Sequence, residues 1–216
     1  MSIPASLLVC FAVEEEARAF RARASGLAHV RVLITGIGQE NAKRAMTAAL
    51  ASSPPPATVV TSGFAGGLDP ALETGTVLFE ADSGFPLLSA LRASGARSAV
   101  FHCAAAIVTS ASQKRWLGHQ TGAAAVEMES ALIRAACHTR GIPSATVRVI
   151  SDAADEDLPL DFNLLMTPDQ RMSYARLAWA LAKSPGKIAE LLAFQQRVKR
   201  AAEKLADVLV RIANPT

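Results

Sequence analysis

Aromatic residues are scarce in this chain, with eight Phe, two Trp and one Tyr among 216 residues. Lysine and arginine form no block, although the net charge is +3 and the isoelectric point lies near 9.0. Acids and bases are interleaved instead, so the stacking rings and basic stripe of a nucleic-acid reader are missing. Cysteine is also sparse. Cys10, Cys103 and Cys137 are odd in number and unclustered, the pattern of reduced thiols in a cytosolic compartment rather than of a disulfide framework. Neither they nor the four histidines show metal-ligand spacing, so no metal is expected. The apolar N-terminus stops at Glu14, too early for a membrane span, and shows no basic leader or cleavage site. The expectation is a cytoplasmic protein with no integral membrane segment and no nucleic-acid partner.

Two nucleotide-binding signatures are absent as well. No Gly-Lys-Ser/Thr of a Walker loop occurs, which disfavours nucleoside triphosphate hydrolysis. Gly36-Ile37-Gly38 joins a strand to a helix, but Asn41 holds the third glycine position of a dinucleotide fingerprint. No acid ends the preceding strand to hold an NAD ribose. An oxidoreductase of the Rossmann type is therefore the weakest reading.

What is present is apolar sequence in short, punctuated runs. Half the residues are hydrophobic and 19% are charged, which suits a folded α/β chain. Length, with no internal repeat and no linker, predicts one domain over residues 1–216. Residues 6–13, 30–35, 57–62, 76–80 and 144–150 read as strands, with another near 98–103 and a strand end at 107–109. Helices are expected at Glu14–Arg23, Gln39–Ala51, 111–119 and 127–140. The segment 82–106 otherwise reads as loop. Gly63, Gly66 and Gly67 are expected to form a tight turn after the third strand. The alternation predicts a mixed central β-sheet flanked by α-helices.

Beyond Asp157 two helices are expected, Pro168–Lys183 and Pro185–Ile212, each starting near proline. In the second, Ile188, Leu191, Leu192, Val198, Leu205, Val208, Leu209 and Ile212 share one stripe. That stripe packs on the sheet or a partner subunit, or else borders an apolar pocket or a membrane surface.

Two carboxylates stand where a packed fold normally refuses charge. Glu129 sits where the apolar run Ala131, Leu132, Ile133 enters a helix. Asp152 ends the strand-like run Ala145 to Ile150, at the edge where α/β sheets bind ligands. Burial there raises a carboxyl pKa toward the range of acid–base work. Each has a plainer explanation. Ser151-Asp152 would cap a following turn, and Glu127 and Glu129 would complement a helix dipole. Arg148 lies on the same strand as Asp152, either exposed on an alternating strand or paired with a site carboxylate.

Ala125-Val126-Glu127-Met128-Glu129-Ser130, followed by Arg148-Val149-Ile150-Ser151-Asp152-Ala153-Ala154-Asp155, resembles the nucleoside phosphorylase/nucleosidase superfamily. The likeness is nearest to 5′-methylthioadenosine/S-adenosylhomocysteine nucleosidases. Phe11-Ala12-Val13-Glu14-Glu15-Glu16 resembles that group's acidic first-strand ending. Thr35-Gly36-Ile37-Gly38-Gln39-Glu40-Asn41-Ala42 resembles its second glycine turn. Ser62-Gly63-Phe64-Ala65-Gly66-Gly67-Leu68, with Gly75 behind it, resembles its third.

The resemblance implies a three-layer fold that cleaves the N-glycosidic bond of a purine, in particular an adenine, nucleoside. Such cleavage protonates the leaving base, holds the ribose as it gains oxocarbenium character, and lets water or phosphate attack the other face. It implies Asp152 as general acid, with Ser151 beside it, and Glu129 as acceptor for the ribose hydroxyls over an apolar floor from Met128. Phe64, Ala65 and Gly66 would lie along the substrate and Arg148 would orient a site carboxylate. Glu16 matches the water-activating glutamate, with Glu14 and Glu15 as bland competitors. It implies no cofactor, inorganic phosphate being the alternative co-substrate, and a homodimer.

Departures bear on the acceptor. Phosphorolytic relatives carry an arginine and a serine where this chain has Thr61 and Phe64. Losing the arginine removes the strongest phosphate ligand and favours water. The length, the segment Ser151 to Pro159 and the Pro185-Gly186 tail are, however, similar to hopanoid-associated phosphorylases, which are phosphorolytic. Phe64 also alters the ribose region, which leaves a catalytically silent nucleoside-binding homologue as a third reading.

Overall fold

The computed structural model describes residues 6–167, 169, 173–184 and 186–214. Its frame begins with β1 (Leu7–Phe11), in which all five side chains are buried. Alternation along a strand sends successive residues to opposite faces. Leu7, Val9 and Phe11 join one core cluster with Phe20, Val147, Leu205 and Leu209, while Leu8 and Cys10 join another with Met46 and Ile133. Both faces of the sheet are thus covered. This explains why β1 is a continuous apolar run rather than an alternating one.

The strands β2 (Val30–Ile34), β3 (Thr58–Gly67), β4 (Val77–Ala81), β5 (Arg97–Ser98) and β8 (Ser144–Asp152) complete the order β2-β1-β3-β8-β4-β5. Pairing is parallel except where β4 runs antiparallel to β8. Two short strands, β6 (Phe101–Cys103) and β7 (Ala125–Glu127), pair with each other, and β7 caps the end of β3 in antiparallel fashion at Gly66 and Gly67. Helices α1 (Glu14–Arg23) and α8 (Lys187–Ala213) pack together on one face, and α2 (Gln39–Leu50) and α5 (Ser130–His138) on the other. The remaining helices are α3 (Leu88–Ala93), α4 (Ala111–Thr121), α6 (Phe162–Leu165) and α7 (Tyr174–Lys183). The mixed, helix-flanked sheet is the expected fold class.

Several elements differ from the sequence reading. The third strand runs ten residues, so Gly63, Gly66 and Gly67 lie within β3 instead of forming a turn beyond it. They are paired there by β8 and β7, whose cross-strand hydrogen bonds outweigh the low strand preference of glycine. Residues 107–109 form no strand, and α3 stands in the segment read as loop. The helix expected over 127–140 starts only at Ser130, because 125–127 pair with β3 and β6 first. Among the described residues the helix expected from Pro168 begins at Tyr174, and the other at Lys187; both prolines lie outside the described residues.

The stripe on α8 is split. Leu205, Val208, Leu209 and Ile212 are buried against the sheet, whereas Ile188 and Leu192 are exposed. No helix among the described residues is long and apolar enough to cross a membrane. Cys10, Cys103 and Cys137 are free thiols.

Parallel β1, β3 and β8 bring their carboxyl ends to one edge. There the register slips: Ala65 faces Ile150 and Gly66 faces Asp152, leaving Ser151 without an opposite residue. Such a bulge re-aims side chains at a strand end. The fold depends on α8 for one layer of its core. Leu209→Ala is therefore expected to cost about 2–5 kcal/mol, read as a lowered midpoint of urea unfolding.

Candidate active site

Every residue singled out from the sequence lines a single cavity of about 240 Å³ at this sheet edge: Glu16, Phe64, Ala65, Gly66, Met128, Glu129, Arg148, Ser151 and Asp152. Glu16 is the third residue of α1. Its side chain folds back to accept from the Ala12 and Val13 N–H groups at 3.0 and 3.4 Å, closing the first turn of the helix. Its other oxygen accepts from Phe64 N–H at 2.9 Å. Glu14 and Glu15 are exposed, and Glu14 pairs with Arg21 on the surface. Of the three acids only Glu16 turns inward.

Arg148, 2% exposed in the middle of β8, gathers the other carboxylates. Its Nη2 lies 2.7 Å from Glu127 and 3.3 Å from Glu129, and Nη1 donates to the Phe64 carbonyl at 3.4 Å. Glu129 is the residue ahead of α5, and its second oxygen accepts from Gly38 N–H at 2.9 Å. Gly38 has a φ of 83°, a conformation glycine adopts without strain, and it brings the backbone to the carboxylate. The second glycine turn therefore serves Glu129.

Glu127 is a correction. The sequence reading left it to the helix dipole, but it ends β7, is buried, and accepts from the Ser130 hydroxyl at 2.6 Å as well as from Arg148. A buried arginine must find carboxylates, and two acids two residues apart gave a signal for both.

Burial separates the carboxyls. It pushes Glu16 up to about 7, against the opposing pull of the Arg148 charge and the Phe64 N–H. Burial also pushes Glu129 up, and there too it outweighs Arg148 and the Gly38 N–H. Glu127 feels the same burial, but Arg148 and the donors from Ser130 and Glu129 hold it below the usual range.

Asp152 does not have the wholly apolar approach read from the sequence. Its Oδ2 is in contact with the ammonium of Lys114, from α4, and Ser151 Oγ lies 2.5 Å from Oδ1. Lys114 carried no sequence signal, because an 11-residue helix of mixed composition does not reveal which lysine turns inward. The rest of the cavity wall is apolar: Ile37, Ile107, Val108, Leu158, Phe162 and Phe194. Phe162 and Phe194 stand with ring centroids 6.2 Å apart. The aromatic lining comes from β3, α6 and α8. Among the described residues no group of three His, Cys, Asp or Glu is placed to hold a metal ion.

Gly63 makes this convergence sterically possible. Its φ is 140°, and a Cβ there would stand 2.5 Å from Glu16 Oε1 and 2.8 Å from Arg148 Nη1. Gly63→Ala is expected to displace Glu16 and lower the unfolding midpoint, whereas Gly26→Ala, in open space, leaves it unchanged. Glu16 also gives a pH signature. The folded state keeps its proton up to about pH 7, while an unfolded glutamate releases it near 4.5. Between those values the folded state binds more protons, so this residue's contribution to stability falls as pH rises. Glu16→Gln should therefore gain stability relative to wild type across that window, as measured by urea unfolding on either side of it.

A family model described as the phosphorylase superfamily matches residues 87–214. A 5′-methylthioadenosine/S-adenosylhomocysteine nucleosidase of Exiguobacterium sp. is 51% identical over 47 residues, 22% of this chain and 20% of that protein. The corresponding nucleosidase of Shewanella oneidensis is 44% identical over 50 residues, 23% of this chain and 21% of its own length. The matches to these relatives thus span about a fifth of their length. Among solved structures, futalosine hydrolase of Helicobacter pylori superposes with a TM-score of 0.68 at 17% identity, covering 96% of this chain and 97% of its own. The Helicobacter pylori 5′-methylthioadenosine/S-adenosylhomocysteine nucleosidase with butyl-thio-DADMe-Immucillin-A gives 0.69 at 18% identity, covering 98% of each. At such identities the superpositions speak for the fold. With more than half of its residues matched by the family model, the chain belongs to the phosphorylase superfamily.

Proposed function

We propose that this protein hydrolyses the N-glycosidic bond of a purine nucleoside, with an adenine nucleoside of the methylthioadenosine/adenosylhomocysteine type as the first candidate. The observation that carries the reading is the charge of the cavity. Glu16, Glu127, Glu129 and Asp152 line it, and Arg148, the one cation among its described lining residues, is already held by Glu127 and Glu129. A dianionic phosphate entering there would meet carboxylates and no free guanidinium. Water meets no such penalty.

The roles follow from chemistry and position. Asp152 gives a proton to the departing purine, and Ser151 holds its other oxygen. Glu129 accepts from the ribose hydroxyls, and Arg148 fixes that carboxylate. Met128 forms the apolar floor under the sugar, while Phe64, Ala65 and Gly66 border it. Glu16 takes a proton from the attacking water. Glu16 Oε1 accepts one backbone N–H, from Phe64, and keeps a lone pair for that water. The reaction as drawn uses no cofactor. We read the chain as a cytoplasmic homodimer, with the exposed apolar residues Leu164, Tyr174 and Trp179, at 64–76% exposure, as the candidate interface. A monomeric mass by light scattering would count against the dimer.

The test is base release from adenosine, methylthioadenosine, adenosylhomocysteine and inosine, each with and without phosphate. Free sugar at a rate indifferent to phosphate is expected; a sugar 1-phosphate as main product would replace water by phosphate, and tight binding without release would select a silent homologue. Asp152→Asn should lower turnover by roughly 10²–10⁴-fold while nucleoside affinity is kept, since the amide cannot deliver a proton. Glu16 must be ionised to accept a proton, so turnover should rise as pH climbs through about 7. Glu16→Gln should remove most activity at every pH.

A further inference from the structure

Lys114 is the one side chain at this site that neither the family likeness nor the roles above account for. It is fully buried, with a side-chain exposure of 0%. Its ammonium touches Asp152 Oδ2 and donates to the carbonyls of Ala153 and Glu156 at 2.9 and 2.8 Å, which uses all three of its N–H groups. The contact is specific in space. A Cβ on Gly66 would stand 3.3 Å from Asp152 Oδ2 and 3.8 Å from Lys114 Cε, so the bare glycine lets the lysine stem and the carboxylate share one slot. Burying a charged pair carries a desolvation cost that a surface pair avoids. Burying this one against the proposed proton donor needs a reason in the chemistry.

A proton donor beside a permanent cation would be a carboxylate with nothing to give. Lysine differs from arginine here, because its ammonium can release a proton once it is desolvated. We infer that Lys114 is a positioning residue that holds the labile proton for Asp152, the two side chains carrying one proton between them on its way to the purine. This rests on the hydrolytic reading of the cavity. As the bonding pair of the C–N bond moves onto the base, an Asp152 O–H breaks and a base N–H forms. The Asp152 proton is itself supplied by Lys114, where an N–H breaks and an O–H forms. Lys114 ends as a neutral amine beside a carboxylate. After product leaves, a solvent proton returns through Asp152, which lines the cavity. The proton taken from water by Glu16 is released to solvent, so the balance closes.

The charged groups around the pair are few. Glu156 and Asp157 flank it from the loop after β8, and Asp157 is tied to Ala111 N–H at 2.7 Å. Arg197 of α8 faces Glu156 at 3.8 Å. Arg148, Glu16, Glu127 and Glu129 line the same cavity.

The pH profile of kcat separates this role from a structural one. Wild-type turnover is expected to persist into the alkaline range where amines, not carboxylates, lose protons. In both Lys114→Met and Lys114→Arg the alkaline limb should move down by about two pH units or more, since neither side chain can supply a proton. A purely structural contact would let Lys114→Arg keep the wild-type profile, and that result overturns the inference. An upward shift in Lys114→Met, as expected from merely removing a neighbouring cation, overturns it too. Circular dichroism checks that each variant is folded; if neither is, the wild-type limb decides, and a limb in the carboxylate range overturns the inference. Turnover with such a limb leaves the functional reading standing, whereas no base release from any nucleoside removes both.

Discussion

The site is built around one buried guanidinium. Arg148 sits in the central strand pair, where a lone charge would cost several kcal/mol, and its neighbours answer that cost. Glu127 comes from the end of β7, Glu129 from the residue before α5, and the Phe64 carbonyl from β3. Glu16, from α1, meets Arg148 across the space left by Gly63. Three segments distant in sequence are thereby held to a fourth, β8. Removing a single partner would leave a charge buried without compensation, at a cost of about 3–5 kcal/mol. The same requirement explains why Gly63 must lack a side chain in the middle of a paired strand.

The guanidinium also sorts the carboxyls. Glu127 receives its closest contact and is held ionised, whereas Glu16 and Glu129 lie where burial prevails. Environments that push similar groups apart let one cavity hold both a fixed anion and a carboxyl that titrates near neutral pH. Across the cavity, Asp152 is governed by a different cation, Lys114, and by the bulge that leaves Ser151 unpaired beside it. The buried carboxyls are thus governed by two cations on two separate elements.

The frame was legible because its signals are local. The buried runs of β1 and β8, the acidic start of α1 and the paired carboxylates of Glu127-Met128-Glu129 follow from periodicity and from charges in apolar company. Misreadings came where pairing overrode local preference. Glycines 63–67 looked like a turn until β7 and β8 bonded them as strand, and residues 125–127 looked like a helix start until β3 and β6 claimed them. The α8 stripe looked uniform, yet only its second half meets the sheet.

The sequence by itself determined the layered α/β frame and which residue types stand at the strand ends, because hydrophobic period and glycine punctuation act over a few residues. Glu129, Arg148 and Asp152 stood out as charges in apolar company, whereas Glu16 was set apart from Glu14 and Glu15 by the family resemblance. Tertiary structure alone decided that Arg148 binds Glu127 more closely than Glu129, that Lys114 reaches Asp152, and that Phe162 and Phe194 close the wall. Those choices join segments tens of residues apart, and they turn on desolvation and distance, which no local pattern encodes.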